Sequence, residues 1–113
     1  MDEAFAVDER EDHDVVHVAV RGELDVATAP TLREHLYAAA DRSSGPVVVD
    51  LLAVTFIDST ALGVLIGTKE RCDELGIELR LVVDKTRIIK IFEITGLTEL
   101  FSISPTFDKA AAR

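Results

Sequence analysis

Asp58, Ser59 and Thr60 stand together in FIDSTALGVL, where an apolar run gives way to apolar residues at helical spacing. A hydroxyl at such a junction has two chemistries open to it. Ser, like Asp, can cap a helix by accepting a free backbone N–H, a role worth about 1 kcal/mol. The same free N–H groups and the positive end of the helix dipole also attract anions, so a phosphate carried on Ser59 would be tolerated there. On local chemistry alone, capping by Asp58 or Ser59 is the commoner role. A second acidic turn, GELD, presents Glu23 and Asp25 where another strand leads towards a helix. If both turns lie at one end of a sheet, a phosphate on Ser59 adds about −1.5 to −2 charges beside Asp25 and Asp58. That charge would alter binding while the helix end keeps the fold intact.

Other constellations fall short of a reaction. GVLIGTK, from Gly63 to Lys69, has the flavour of a phosphate-binding loop, but that loop needs four residues between its glycines and a Lys directly after the second. Gly63 and Gly67 are expected instead to let a helix lie close to the sheet. A serine hydrolase wants glycines two residues either side of its serine, and here Ile57 and Ala61 hold those places, with His35 in an ordinary amphipathic helix. His13 and His17 could share a strand face, yet without a nearby Cys or third His they read as exposed polar residues, so no metal is assigned. Cys72 reads as a small core residue. A phosphoaspartate receiver would use Asp50 at the end of a central strand, an acidic pair after the first strand and a Lys at a late strand end. Glu23 and Asp25 follow the second strand instead, and Lys85 falls in the cap region of a helix.

The elements that must position the Ser59 turn are legible in the apolar spacing. FAVDER and VVHVAVRG, split by the polar cluster Glu11 to Asp14, read as a β-hairpin, with Val16, Val18 and Val20 on one face. After GELDVATAP, Pro30 suits a first helical turn, and Leu32, Leu36 and Ala40 continue that helix to Ser43, Ser44 and Gly45. PVVVDL is nearly all apolar, as in a strand covered on both faces. Leu62, Leu65, Ile66, Lys69, Cys72 and Leu75 mark a second helix ending at Gly76. IELRLVV alternates Ile77, Leu79 and Leu81 with Glu78 and Arg80, a strand with one wetter face. A third helix is expected to be capped by Asp84, to bury Ile88, Ile91, Phe92 and Thr95, and to end at Gly96. LFSI reads as a closing strand, and Ser104 with Pro105 as the cap of a last short helix. The order strand, strand, helix, strand, helix, strand, helix, strand, helix predicts an α/β fold whose sheet is mixed because of the hairpin.

Composition narrows what such a domain can do. A chain of 113 residues suits one domain, and 48% hydrophobic with 29% charged residues suits a folded core. A formal charge of −9 repels nucleic acid and anionic membranes, so neither is expected as a partner. No apolar stretch approaches the roughly 20 residues of a membrane span. The acidic start MDEAFAVDEREDHD lacks the pattern of a secretory signal, and the one cysteine cannot form an internal disulfide, which points to the cytoplasm.

GELDVATAP, VVVDLLAVTFIDSTALGVLIG and IIKIFEITGLTELFSI together resemble the anti-sigma factor antagonists, whose STAS domain also occurs at the ends of sulphate transporters. The resemblance spans nearly the whole chain and implies one STAS domain over 1–113, with an ordered core of roughly 5–110. It implies a non-enzymatic protein without cofactor, switched by its partners. The serine matching Ser59 is phosphorylated in that family by an anti-sigma factor that is also a serine/threonine kinase. The unmodified antagonist binds that kinase and frees a sigma factor, and a serine phosphatase resets it. Carried over, Ser59 is the phosphoacceptor, Glu23, Asp25, Asp58 and Thr60 border the docking surface, and Thr60 is an alternative acceptor. Many members have Gly where this chain has Ala61, a substitution that favours the helix and leaves the acceptor in place. The rival is a STAS scaffold that docks a larger regulatory or transporter complex and is never modified.

Overall fold

The computed structural model describes residues 4–112. Residues 1–3 and 113 of the expected 1–113 span lie outside the described residues. β1 (Ala6–Asp12) and β2 (Val15–Leu24) pair antiparallel. His13 and Asp14 form the turn between them at φ of 52° and 70°, the hand that a two-residue hairpin on twisted strands requires. α1 (Ala29–Arg42), with Pro30 in its first turn, leads to β3 (Val47–Ile57), and α2 (Ser59–Leu75) to β4 (Leu79–Val82). α3 (Thr86–Ile94) then leads to β5 (Ser102–Ser104), and α4 (Phe107–Ala111) follows. The sheet order is β1-β2-β3-β4-β5, parallel in every pair after the first. This is the mixed α/β sheet with hairpin and four helices that the spacing predicts.

The period of two along the central strands divides the core. Val16, Val18 and Val20 of β2 and Val47, Val49 and Leu51 of β3 pack with Leu32 and Leu36 of α1, Leu62 and Leu65 of α2, and Ile88 and Phe92 of α3. On the opposite face Val15, Val48 and Val82 lie beneath Phe107 and Ala110 of α4. Strands covered on both sides are under pressure to be apolar at every position, which accounts for the run VVV in β3. Cys72 is fully buried in the larger cluster, and burial, with some help from Asp73, pushes its thiol up to about 11. It is a core residue, as expected.

Several local expectations give way to contacts distant in sequence. His17 is buried rather than exposed, and His13 sits in the turn, so the two do not share a strand face. Arg10 Nη2 lies 3.2 Å from His17 Nδ1, and Asp50 Oδ2 lies 3.1 Å from Nε2. A guanidinium only donates, so Nδ1 accepts and the ring hydrogen points to Asp50. The ring also stacks on Phe107 at 4.1 Å. Asp50 itself lies within β3, not at its end. Arg80, expected on a wetter face, is buried because α4 covers it, and its Nη1 donates to the Ala110 carbonyl at 2.7 Å.

Helix ends differ too. Lys85, not Asp84, is the residue before α3, and it makes no side-chain cap bond. Thr95 is exposed beyond the end of α3 and donates its hydroxyl to the Ile91 carbonyl at 2.8 Å. Ser104 ends β5, and Thr106 caps α4, accepting from Lys109 N at 3.1 Å. Neither glycine of α2 sits against the sheet. Gly63 faces open space, while a Cβ at Gly67 would strike the Tyr37 hydroxyl of α1.

Candidate functional site

The two acidic turns lie side by side because β2 and β3 run parallel and end together, with Leu24 opposite Ile57. Asp58 N donates to the Leu24 carbonyl at 3.1 Å, tying one turn to the other. Asp58 then caps α2: its Oδ1 accepts from Ala61 N at 3.0 Å, and its carbonyl accepts from Leu62 N at 3.0 Å. Ser59 is the first helical residue and is exposed. Its hydroxyl takes no hydrogen-bond partner among the described residues. Of the two capping candidates, the structure therefore assigns the cap to Asp58 and leaves Ser59 Oγ facing solvent. Thr60 follows it, also exposed.

The neighbouring turn is built with equal economy. Asp25 Oδ1 accepts from Ala27 N at 3.0 Å and Thr28 N at 3.1 Å, while Asp25 N donates to Thr28 Oγ1 at 2.9 Å. Thr28 Oγ1 in turn donates to the Glu23 carbonyl at 3.0 Å. These reciprocal bonds satisfy amides at the entry to α1. Glu23 is exposed and Asp25 half-buried. All five residues picked out by sequence, Glu23, Asp25, Asp58, Ser59 and Thr60, thus gather at one end of the sheet.

Two apolar residues near this end were missed. Val26 is 71% exposed and Phe56 47%. The only sequence signal was an apolar side chain inside the turn-rich stretch DVATAP and an aromatic two residues before Asp58. Val26 also lines an open groove of about 640 Å³ between α1 and α2, with Arg33, Tyr37, Thr60 and Gly63 along it. The guanidiniums of Arg33 and Arg71 lie 5.1 and 5.0 Å from the Tyr37 ring centre, and Asp41 holds Arg71 through two hydrogen bonds. A surface of this kind, with an exposed hydroxyl, acidic turns and exposed apolar side chains at one end of the sheet beside a groove, has the mixed chemistry of protein-docking surfaces. Among the described residues no group of three or more His, Cys, Asp or Glu is placed to hold a metal ion. None of the helices described is long and apolar enough to cross a membrane.

Comparison with known proteins converges on the same domain. The family model for the STAS domain matches residues 6–110. The anti-sigma-B factor antagonist of Bacillus subtilis (strain 168) is 37% identical over 98 residues, covering 87% of this chain and 89% of that protein. The crystal structure of an anti-sigma factor antagonist from Mycobacterium paratuberculosis superposes with a TM-score of 0.87 at 30% identity, over 96% of this chain and 92% of the other. The Bacillus cell fate determinant SpoIIAA, solved in its phosphorylated form, shares the fold with a TM-score of 0.71 at 20% identity, over 97% and 98% of the two chains. With its five-stranded mixed sheet, its four helices and a family match from β1 to α4, the chain belongs to the STAS domain family.

Proposed function

We propose that this protein is an anti-sigma factor antagonist whose binding is switched at Ser59. Unmodified, it binds an anti-sigma factor that is also a serine/threonine kinase, and so releases a sigma factor in the cytoplasm. The kinase transfers the γ-phosphoryl group of ATP to Ser59 Oγ, ADP leaves, and the hydroxyl proton passes to the kinase or to solvent. The phosphorylated chain lets go, and a serine phosphatase hydrolyses the phosphoester to restore it. The chain supplies an acceptor and a surface, while ATP and the catalytic groups belong to the partner.

The observation that carries this reading is the division of labour at the start of α2. Asp58 makes the cap, so the exposed Ser59 hydroxyl has no duty in the fold and can be modified without loss of a native hydrogen bond. The relatives named as antagonists and a phosphorylated protein of the same fold support it. Asp25 and Asp58 each use Oδ1 inside the fold, which leaves Oδ2 to meet a partner. A phosphate between them turns an acidic surface into a strongly anionic one, and like charges brought together at an interface cost several kcal/mol.

The decisive measurement is affinity for the kinase, purified by following labelled phosphate from ATP onto the wild-type chain. Ser59→Ala is expected to bind as wild type and to take no label, whereas Ser59→Asp loses more than about tenfold in affinity. Equal affinity of the two variants overturns the switch. Persistent absence of a phosphate-sized mass increase in the native cell, across growth and stress conditions, would favour an unmodified STAS scaffold.

A further inference from the structure

Strand β3 reaches the Ser59 turn two residues longer than its neighbour. From Ala19↔Asp50 to Arg21↔Ala53, β2 advances two residues and β3 three, and from Gly22↔Val54 to Glu23↔Phe56, β2 advances one and β3 two. Each extra residue bulges from the ladder and leaves backbone groups without a strand partner. The other flank offers no relief, because β4 stops pairing with β3 at Asp50↔Val82. Side chains from the start of α3 fill the gap. Lys85 Nζ donates to the Leu52 carbonyl, and Arg87 Nη2 donates to the Thr55 carbonyl at 3.0 Å. Asp50 Oδ1 accepts from Leu52 N at 3.0 Å, so the first bulge is held from both sides.

We propose that Lys85 and Arg87 are positioning residues for the phosphoacceptor turn, clamping the bulged end of β3 and thereby fixing where Asp58 presents Ser59. The proposal rests on the reading of Ser59 as acceptor. Both donors are cations on carbonyls, the stronger class of hydrogen bond. Arg87 is exposed and Lys85 half-buried, so neither is a core element. With the clamp released, pairing to β2 and the bond from Asp58 N to Leu24 remain, so the turn shifts rather than unfolds. Phosphoryl transfer is sensitive to such shifts, since a misplacement of about 1 Å can cost roughly a hundredfold in rate.

Arg87→Met keeps the apolar stem and removes the donor, and Arg87→Lys restores one. Amide hydrogen exchange and phosphorylation kinetics with the purified kinase are measured on both variants and on Lys85→Met. Exchange across residues 56–61 is expected to rise about tenfold in Arg87→Met, with α1 amides unchanged. kcat for Ser59 labelling falls by about tenfold while KM stays near wild type, and Arg87→Lys recovers both. Unchanged exchange in the two Met variants, or altered exchange with unchanged kcat, overturns the proposal. So does a rise in KM alone, which would make Arg87 a docking contact. A wild-type chain that takes no phosphate while exchange still responds to Arg87→Met overturns the acceptor reading and leaves the clamp standing.

Discussion

Asp58 Oδ1 accepts from Ala61 N, while Oδ2 takes no hydrogen bond among the described residues, so the cap and the proposed docking role separate by substitution. Asp58→Ala removes the acceptor for Ala61 N and is expected to lower stability by about 1 kcal/mol, seen as a lower denaturant midpoint with unchanged slope. Asp58→Asn keeps an acceptor oxygen of the same reach and stays within about 0.5 kcal/mol of wild type. If the carboxylate contributes charge to docking, the Asn variant binds the kinase differently despite its intact cap. Equal stability of the Ala and Asn variants would show that the cap contributes nothing. Asp25 is a poorer probe, because its Oδ1 holds two amides and its own N–H is bound to Thr28, so one change disturbs several bonds.

Among the elements, β1 is tied to α1 by charge. Glu9 Oε2 meets His35 Nδ1 at 2.6 Å, and Glu9 Oε1 pairs with Arg42. Burial alone would raise the Glu9 carboxyl, but hydrogen bonds from His35 and Arg42, and their charges, outweigh it and leave the group below its ordinary 4.5. A depressed folded-state value means that this tie contributes fully above 4.5 and is lost as pH falls through the lower folded value. Glu9→Gln is therefore expected to cost less than about 1 kcal/mol at pH 7 and to flatten the acid limb below 4.5, read from thermal midpoints between pH 3 and 7. An acid limb identical to wild type would remove Glu9 from the account. Elements such as these were legible where spacing alone decides them: the hairpin, α1 with Pro30, the Gly76 terminus of α2 and the turn at Ser59. Which of Asp58 and Ser59 caps α2 was not, since both types suit the position and only their offset from the first helical residue separates them. The burial of His17 and Arg80 was also hidden, because Asp50 lies 33 residues from one and Ala110 lies 30 from the other. The β3 bulges have no local signature at all, being defined by the register against β2.

For the molecule as a whole, parallel strands joined by crossovers place every strand-to-helix turn at one end of the sheet. GELD, the Asp58 turn and the Lys85 turn are thereby neighbours, though sequence separates them widely. The chain carries a formal charge of −9, so a phosphate on Ser59 adds repulsion to an already acidic body. Against that, the amino end of α2 favours an anion by about 0.3–1 kcal/mol, and the modified hydroxyl gives up no hydrogen bond to the described residues. These opposing effects are of similar size, so the phosphorylated and unmodified proteins are expected to melt in single transitions within about 4 °C of each other, where 1 kcal/mol corresponds to roughly 4–8 °C in a small domain. Added salt screens the repulsion more than it screens the local helix end and would move the phosphorylated form upward relative to the other. A loss of more than about 10 °C on phosphorylation, or a transition that broadens into two, would mean that the switch acts by loosening the fold. Near-equal midpoints, with kinase affinity differing at least tenfold, would place it on the surface formed by Asp25, Asp58 and Ser59.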